Sequence, residues 1–248
     1  MRGSRCTSAT TARYTRRHND SNILCLGYKP LGAYLCLDIV KAWVNSEFEG
    51  GRHAISVNLI RSGEEHQFKG ADILSSLGES GNVRALRGHI ERVYIANDHA
   101  GFEAKGRVTG ILRERKIDVV DLGTESTEIV RYPYYAARAA QKVKESPGCG
   151  AVLICGTGIG MSIAANKFKG VRAALCTGES GARYAREHLD SNILCIGGKI
   201  IGQFELEDTV NTWLDTRFRE NLGPVLAALN EIEDCNLQET GWKPANNI

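Results

Sequence analysis

None of the eight cysteines, at positions 6, 25, 36, 149, 155, 176, 195 and 235, belongs to a Cys-x-x-Cys pair. That removes the usual zinc-ligand and thioredoxin spacings, so no metal and no cofactor is expected. Scattered single thiols suit a reducing compartment better than a disulfide framework does. No apolar run approaches the roughly 20 residues needed to span a bilayer, and the first residues lack the apolar stretch of a secretory signal. Neither sign of charge dominates: 31 Lys and Arg stand against 29 Asp and Glu. A basic nucleic-acid surface is therefore not expected, and any anion recognition must be local. Residues 1–17 are rich in Arg, Ser and Thr and contain no acid. A mitochondrial leader would share that composition, but an internal repeat already begins at Cys6. The expectation is a soluble, cytoplasmic protein that binds neither nucleic acid nor membrane.

What is present is a repeat. At an offset of 170 residues the run Ala12, Arg13, Tyr14, Arg16, His18, Asp20, Ser21, Asn22, Ile23, Leu24, Cys25, Gly27 meets Ala182, Arg183, Tyr184, Arg186, His188, Asp190, Ser191, Asn192, Ile193, Leu194, Cys195, Gly197 without a gap. Lys29 with Lys199, Gly32 with Gly202, Trp43 with Trp213 and Phe48 with Phe218 extend the match. Two copies of one folding unit are read from it. They are unequal, because the second reaches back to a strand near Arg92 and the first starts close to residue 1. Residues 1–61 are read as a partial repeat of one strand and two helices, 62–90 as a Gly- and Glu-rich linker, 91–235 as a complete domain and 236–248 as a tail.

Within the complete copy, Val93–Ala96, Asp118–Leu122, Ala151–Cys155, Val171–Leu175 and Asn192–Ile196 are short apolar runs, each followed by a helical stretch. Five β-α units predict a doubly wound (Rossmann-like) parallel five-stranded α/β sheet with helices on both faces. Ligands bind beyond the carboxyl ends of such strands. Asn97-Asp98-His99-Ala100-Gly101 follows the first run, Cys155-Gly156-Thr157-Gly158-Ile159-Gly160 closes the third, and His188 lies just before the fifth.

Glycines 156, 158 and 160 let backbone amides approach an anion at the start of a helix. The alternative is a tight turn without a ligand, and Met161 spoils a dinucleotide fingerprint. Cys155 adjoins that cradle, where a helix end should lower its thiol pKa from about 8.5 and make it a candidate base; alone, a cysteine closing a buried strand is more often packing than chemistry. Asp98 and His99 can bind sugar hydroxyls or move a hydroxyl proton, or simply cap the next helix. His188 can equally be a surface residue. Their convergence is what favours a site.

Together these residues resemble the family of type B ribose-5-phosphate isomerases and galactose-6-phosphate isomerase subunits. The segments that carry the resemblance are Asn97-Asp98-His99-Ala100-Gly101-Phe102, Asp121-Leu122-Gly123-Thr124, Tyr132-Pro133, Ile154-Cys155-Gly156-Thr157-Gly158-Ile159-Gly160 and Ile163-Ala164-Ala165-Asn166-Lys167. The resemblance implies a metal-independent aldose-ketose isomerase of the pentose phosphate pathway, acting on ribose 5-phosphate through a cis-enediolate, with a hexose phosphate isomerase of the galactose type or a non-catalytic binding subunit as alternatives. It implies Cys155 as the base, His188 as the ring-opening group, and Thr157 with the amides of Gly156, Gly158, Ile159 and Gly160 as oxyanion donors. Asp98, His99 and Lys199 would bind substrate, and the assembly would be a homodimer or higher homo-oligomer.

The departures are specific. The family's His-Asn-Asp is intact as His18, Asn19, Asp20 but reads His188, Leu189, Asp190 in the complete copy. Gly50-Gly51-Arg52-His53, whose arginine resembles a phosphate ligand, aligns with Glu220, Asn221, Leu222 and Gly223, and Arg131 replaces an acid. The family builds its sites from two subunits, so His18, Asn19 and Arg52 are candidate partner-side residues, in this chain or a second one. The alternative is that the partial copy is a remnant unable to hold a position without the rest of its sheet.

Overall fold

The computed structural model describes residues 1–27, 31–65 and 90–234. The larger unit is a parallel sheet of strands β3 (Arg92–Asn97), β4 (Asp118–Asp121), β5 (Gly150–Cys155), β6 (Ala173–Leu175) and β7 (Ile193–Gly197), in the order β4-β3-β5-β7-β6. Crossover helices α4 (Phe102–Glu114), α5 (Tyr132–Glu145), α6 (Ile159–Ala165) and α7 (Glu179–Leu189) connect them, and α8 (Gln203–Asp215) and α9 (Gly223–Asp234) follow. Strand β5 is central and buried at every residue, as a strand covered on both faces must be. Its side chains alternate between two cores. Ala151, Leu153 and Cys155 join the one with α5 and α6, while Val152 and Ile154 join the one with α4, α7 and α8. Cys155 therefore faces the α5–α6 side.

The amino-terminal unit holds β1 (Gly3–Arg5), α1 (Ala9–Asn19), β2 (Ile23–Cys25), α2 (Ala33–Val44) and α3 (Gly51–Glu65). Among its described residues it has two strands and three helices rather than one strand and two helices, and three-residue β1 is too short to show a periodicity. Strands β1 and β2 pair in parallel, Gly3 opposite Ile23 and Arg5 opposite Cys25, as β6 and β7 do with Ala173 opposite Ile193 and Leu175 opposite Cys195. Local bonds recur at the same offset. Trp43 Nε1 donates to Ser21 Oγ at 2.8 Å and Trp213 Nε1 to Ser191 Oγ at 2.8 Å. Arg16 pairs with Asp20 at 3.1 Å and Arg186 with Asp190 at 2.7 Å. Asp20 and Asp190 both end their helices in the left-handed region, at φ 46° and 45°, a conformation Asp tolerates better than most residues. Helix α3 runs on through Glu65, into the stretch read as linker. The rest of that linker from residue 66 to 89, and the tail, lie outside the described residues.

The small unit is seated on the α5–α6 face. Helix α3 packs on α5, and β1 and α1 pack on α6. Ile60 of α3 is 3 % exposed and enters the same core as Ala136, Ala140 and Cys155. Arg5 Nη1 donates to the Leu175 carbonyl at 2.9 Å. Contact with an existing face replaces the missing sheet as the source of burial.

Candidate active site

Strand β5 ends at Cys155, and the chain turns at once through Gly158, whose φ of +74° favours glycine. The turn aims amides back at the sulfur: Gly158 N donates to Cys155 Sγ at 3.1 Å, and the amides of Thr157 and Met161 also favour its thiolate. Burial and the neighbouring Asp98 carboxylate outweigh them, so the thiol pKa is pushed up to about 12 rather than lowered. The expectation of a depressed pKa is corrected. The helix end is present, but Cys155 is only 5 % exposed, and desolvation of a charge outweighs a few amide dipoles.

Asp98 closes β3. Its Oδ1 accepts the amides of Ala100 at 2.9 Å and Gly101 at 3.2 Å, so the helix-capping reading holds for that oxygen. Burial raises its pKa, against the opposing pull of His99, these two amides and Lys199. Next to it, His99 Nδ1 accepts the Val130 amide at 3.3 Å, which leaves Nε2–H as the donor of the ring. Lys199 is held by its own amide on the Gly156 carbonyl at 3.1 Å, beside both Gly156 and Asp98. Thr157 Oγ1 accepts the Ile159 amide at 3.4 Å. Cys155, Thr157, Asp98, His99, Lys199 and the glycines thus gather at one sheet edge.

His188 does not join them. Strand β7 starts at Ile193, opposite Ala151, whereas Cys155 lies opposite Gly197. His188 precedes that start, and four residues of strand are already about 13 Å. A residue just before a parallel strand lies at the edge opposite to its carboxyl end. His188 instead stacks on Tyr184 at 4.9 Å and lies 3.8 Å from Glu187. A polar cleft between α7 and α8, lined by Glu179, Arg183, Glu187 and Asp208, contains none of the gathered residues.

The amino-terminal unit reaches the site instead. Asn19 Nδ2 donates to Tyr132 Oη at 3.3 Å, and Tyr132 feels Cys155 and Asp98, its phenol held well above its ordinary pKa chiefly by burial. A Cβ at Gly160 would stand 2.8 Å from the Tyr132 ring and 3.0 Å from Asn19 Nδ2, so this glycine is needed for the close approach of both units. Arg131 Nη1 donates to the Arg52 carbonyl at 3.2 Å. His18 stacks on His53 with centroids 4.0 Å apart and planes 7° from parallel. Burial is the first cause that lowers the pKa of each imidazole; for His53 the charges of Arg52 and Arg131 add to it. His18, Glu49 and His53 offer ligand atoms within 4.8 Å of one another. Near-parallel rings leave no point in both planes at metal-bonding distance, so the two imidazoles as placed do not converge on one ion. The sequence reading includes Tyr132 only within the Tyr132-Pro133 segment of the resemblance and gives neither Tyr132 nor Glu49 a role in the site. Tyr132 had one local signal, its place before Pro133 at the start of α5, and Glu49 had its i, i+4 spacing to His53.

A buried thiol in an amide turn, with an acid, an imidazole and a lysine at the carboxyl edge of a doubly wound sheet, defines an α/β enzyme site suited to proton transfer on a small polar substrate. A family model described as Ribose/Galactose Isomerase matches residues 1–60 and 93–224, and the chain belongs to that family. Ribose-5-phosphate isomerase B of Escherichia coli is 39% identical over 129 residues, 52% of this chain and 87% of that protein. The galactose-6-phosphate isomerase subunit LacB of Clostridium acetobutylicum is 35% identical over 127 residues, 51% of this chain and 73% of that one. Among solved structures, ribose-5-phosphate isomerase B of Clostridium thermocellum matches with a TM-score of 0.56 at 39% identity, covering 58% of this chain and 97% of that chain. The Thermotoga maritima enzyme matches with a TM-score of 0.55 at 41% identity, covering 58% and 99%. The chain is accordingly a sugar-phosphate isomerase of the aldose-ketose class. No helix among the described residues is long and apolar enough to cross a membrane.

Proposed function

We propose that the chain interconverts ribose 5-phosphate and ribulose 5-phosphate, with Cys155 carrying a proton between C2 and C1 of the open sugar through a cis-enediolate. From the aldose, the thiolate takes the C2 proton, the electron pair forms the C1–C2 double bond and the carbonyl oxygen becomes the charged oxygen held by the amides of the Gly156–Gly160 turn. The same proton returns to C1, the carbonyl re-forms at C2, and the proton that leaves O2 passes to the charged O1, which the cis geometry places beside it. Before this can begin, the sulfur must lose its own proton. Asp98 is the acceptor at hand: moving that proton to Asp98 removes the charge that opposed the thiolate, while the amides of Thr157, Gly158 and Met161 take up the sulfur's charge. His99 Nε2–H and Lys199 bind substrate oxygens.

His18, Asn19 and Arg52 of the amino-terminal unit complete the site in the same chain, with His18 in the ring-opening role and Arg52 toward the phosphate. The observation that carries this is the contact of Asn19 with Tyr132 beside Gly160. The copy that keeps His-Asn-Asp and Gly-Gly-Arg-His is also the one whose Asn19 bonds Tyr132, and on this reading a second subunit is not required. A galactose-type hexose phosphate is the second reading, favoured by the LacB relative. A coupled assay with ribose 5-phosphate and galactose 6-phosphate, on wild type and Cys155→Ala, tests both. Turnover of neither sugar, or an Ala variant at full rate, refutes the proposed chemistry.

A further inference from the structure

Glu49 lies just ahead of α3, and its backbone amide donates to the Arg17 carbonyl at 3.0 Å while its Oε1 accepts Arg17 Nε at 2.6 Å. Its other oxygen, Oε2, is 3.3 Å from His18 Nε2 and 3.6 Å from His53 Nε2. At the 170-residue offset Glu49 aligns with Arg219 and Arg17 with Glu187. The backbone latch is kept there, Arg219 N to the Glu187 carbonyl at 2.9 Å, and the ion pair is kept with its charges exchanged, Arg219 Nη2 to Glu187 Oε1 at 3.2 Å. The latch therefore works with either order of charge. What the exchanged pair does not provide is a carboxylate oxygen shared by two imidazoles, since His53 aligns with Gly223.

We propose that Glu49 is a positioning residue that fixes the tautomer and ring plane of His18. With Oε2 3.3 Å from Nε2, the carboxylate favours the Nε2–H tautomer, which leaves Nδ1 as the lone-pair nitrogen able to take the proton of an anomeric hydroxyl. Stacked His53 holds the ring plane, and Arg17 holds the carboxylate. A carboxylate behind a working imidazole does the same in other proton-transfer sites. This rests on the reading above that His18 is the site's ring-opening imidazole. The groups acting on His18 are His53, Glu49, Arg17 and Arg52, with Tyr14 edge-on at 4.9 Å. Of these charges Glu49 alone favours the imidazolium.

The test compares full-length wild type, Glu49→Gln and Glu49→Asp. Nitrogen-15 imidazole spectra, assigned with His18→Gln, report the tautomer. Steady-state kinetics on ribose 5-phosphate report kcat and KM against pH. The expected result is His18 as Nε2–H in wild type and loss of that preference in Glu49→Gln. Its kcat should fall about 10-fold or more with KM within about twofold, and its acid limb should move to lower pH; Glu49→Asp should recover part of kcat. An Nδ1–H tautomer in wild type, an unchanged spectrum in Glu49→Gln, or an effect on KM alone overturns the proposal. Absence of turnover in every protein would overturn the isomerase reading, while the spectra would still decide the role of Glu49.

Discussion

The contact between Asn19 and Tyr132 joins the two units at the thiol, and its worth can be measured by a double-mutant cycle of Asn19→Ala and Tyr132→Phe. The bond is 3.3 Å long, at the long end of the N–H···O range, so its net value lies in the lower part of the usual scale, about 0.5–1 kcal/mol. Removing one partner costs more than the bond, because Asn19 is 6 % exposed and an unpaired buried amide costs about 1–3 kcal/mol. Each single variant should therefore lower kcat/KM by roughly 5- to 150-fold, and the double variant should recover a coupling of about 0.5–1 kcal/mol, a factor of about 2–5. The assay is steady-state turnover of ribose 5-phosphate, with thermal unfolding run alongside to separate lost folding from lost function. Additive effects on kcat/KM would refute the claim that the amino-terminal unit is part of the working site, and so would full activity in Asn19→Ala.

His18→Ala should lower kcat by about 100-fold or more, as loss of a general acid-base group does, whereas His188→Ala, at the other sheet edge, should stay within about twofold; the same turnover assay decides. Alkylation of Cys155 by iodoacetamide should be slow at neutral pH and accelerate as pH rises toward the thiol pKa of about 12, with substrate protecting, which mass spectrometry of the labelled peptide follows. Burial raises the thiols of Cys155, Cys176 and Cys195. For a raised folded-state pKa the stability is complete below the unfolded value near 9.0 and is lost as pH climbs through the folded one. The unfolding free energy from urea titrations should therefore drop between about pH 9 and pH 11, by about 1.4 kcal/mol per thiol at one pH unit above the unfolded pKa, and a flat profile would contradict their burial. Arg52→Ala should raise KM for the phosphorylated sugar with a smaller change in kcat, the pattern of lost ground-state binding.

Sequence alone determined the five β-α units, because period-2 and period-3.6 patterns are written in neighbouring residues, and it determined the cluster at the carboxyl strand ends, because loop position follows from strand order in a parallel sheet. The 170-residue identity likewise needs nothing but the chain. Which copy sits beside the turn after Cys155 was decided only by tertiary structure: His188 and His18 share one local pattern, and what separates their units is the docking of α1 and α3 on the α5–α6 face, with Asn19 on Tyr132, a matter of long-range packing. The same holds for Cys155. Its neighbouring helix end is legible in Gly156–Gly160, but the protonation of its sulfur depends on burial and on Asp98, 57 residues earlier in the chain. Desolvation and through-space charge sum over every neighbour in the folded chain, and sequence proximity reports only a few of them.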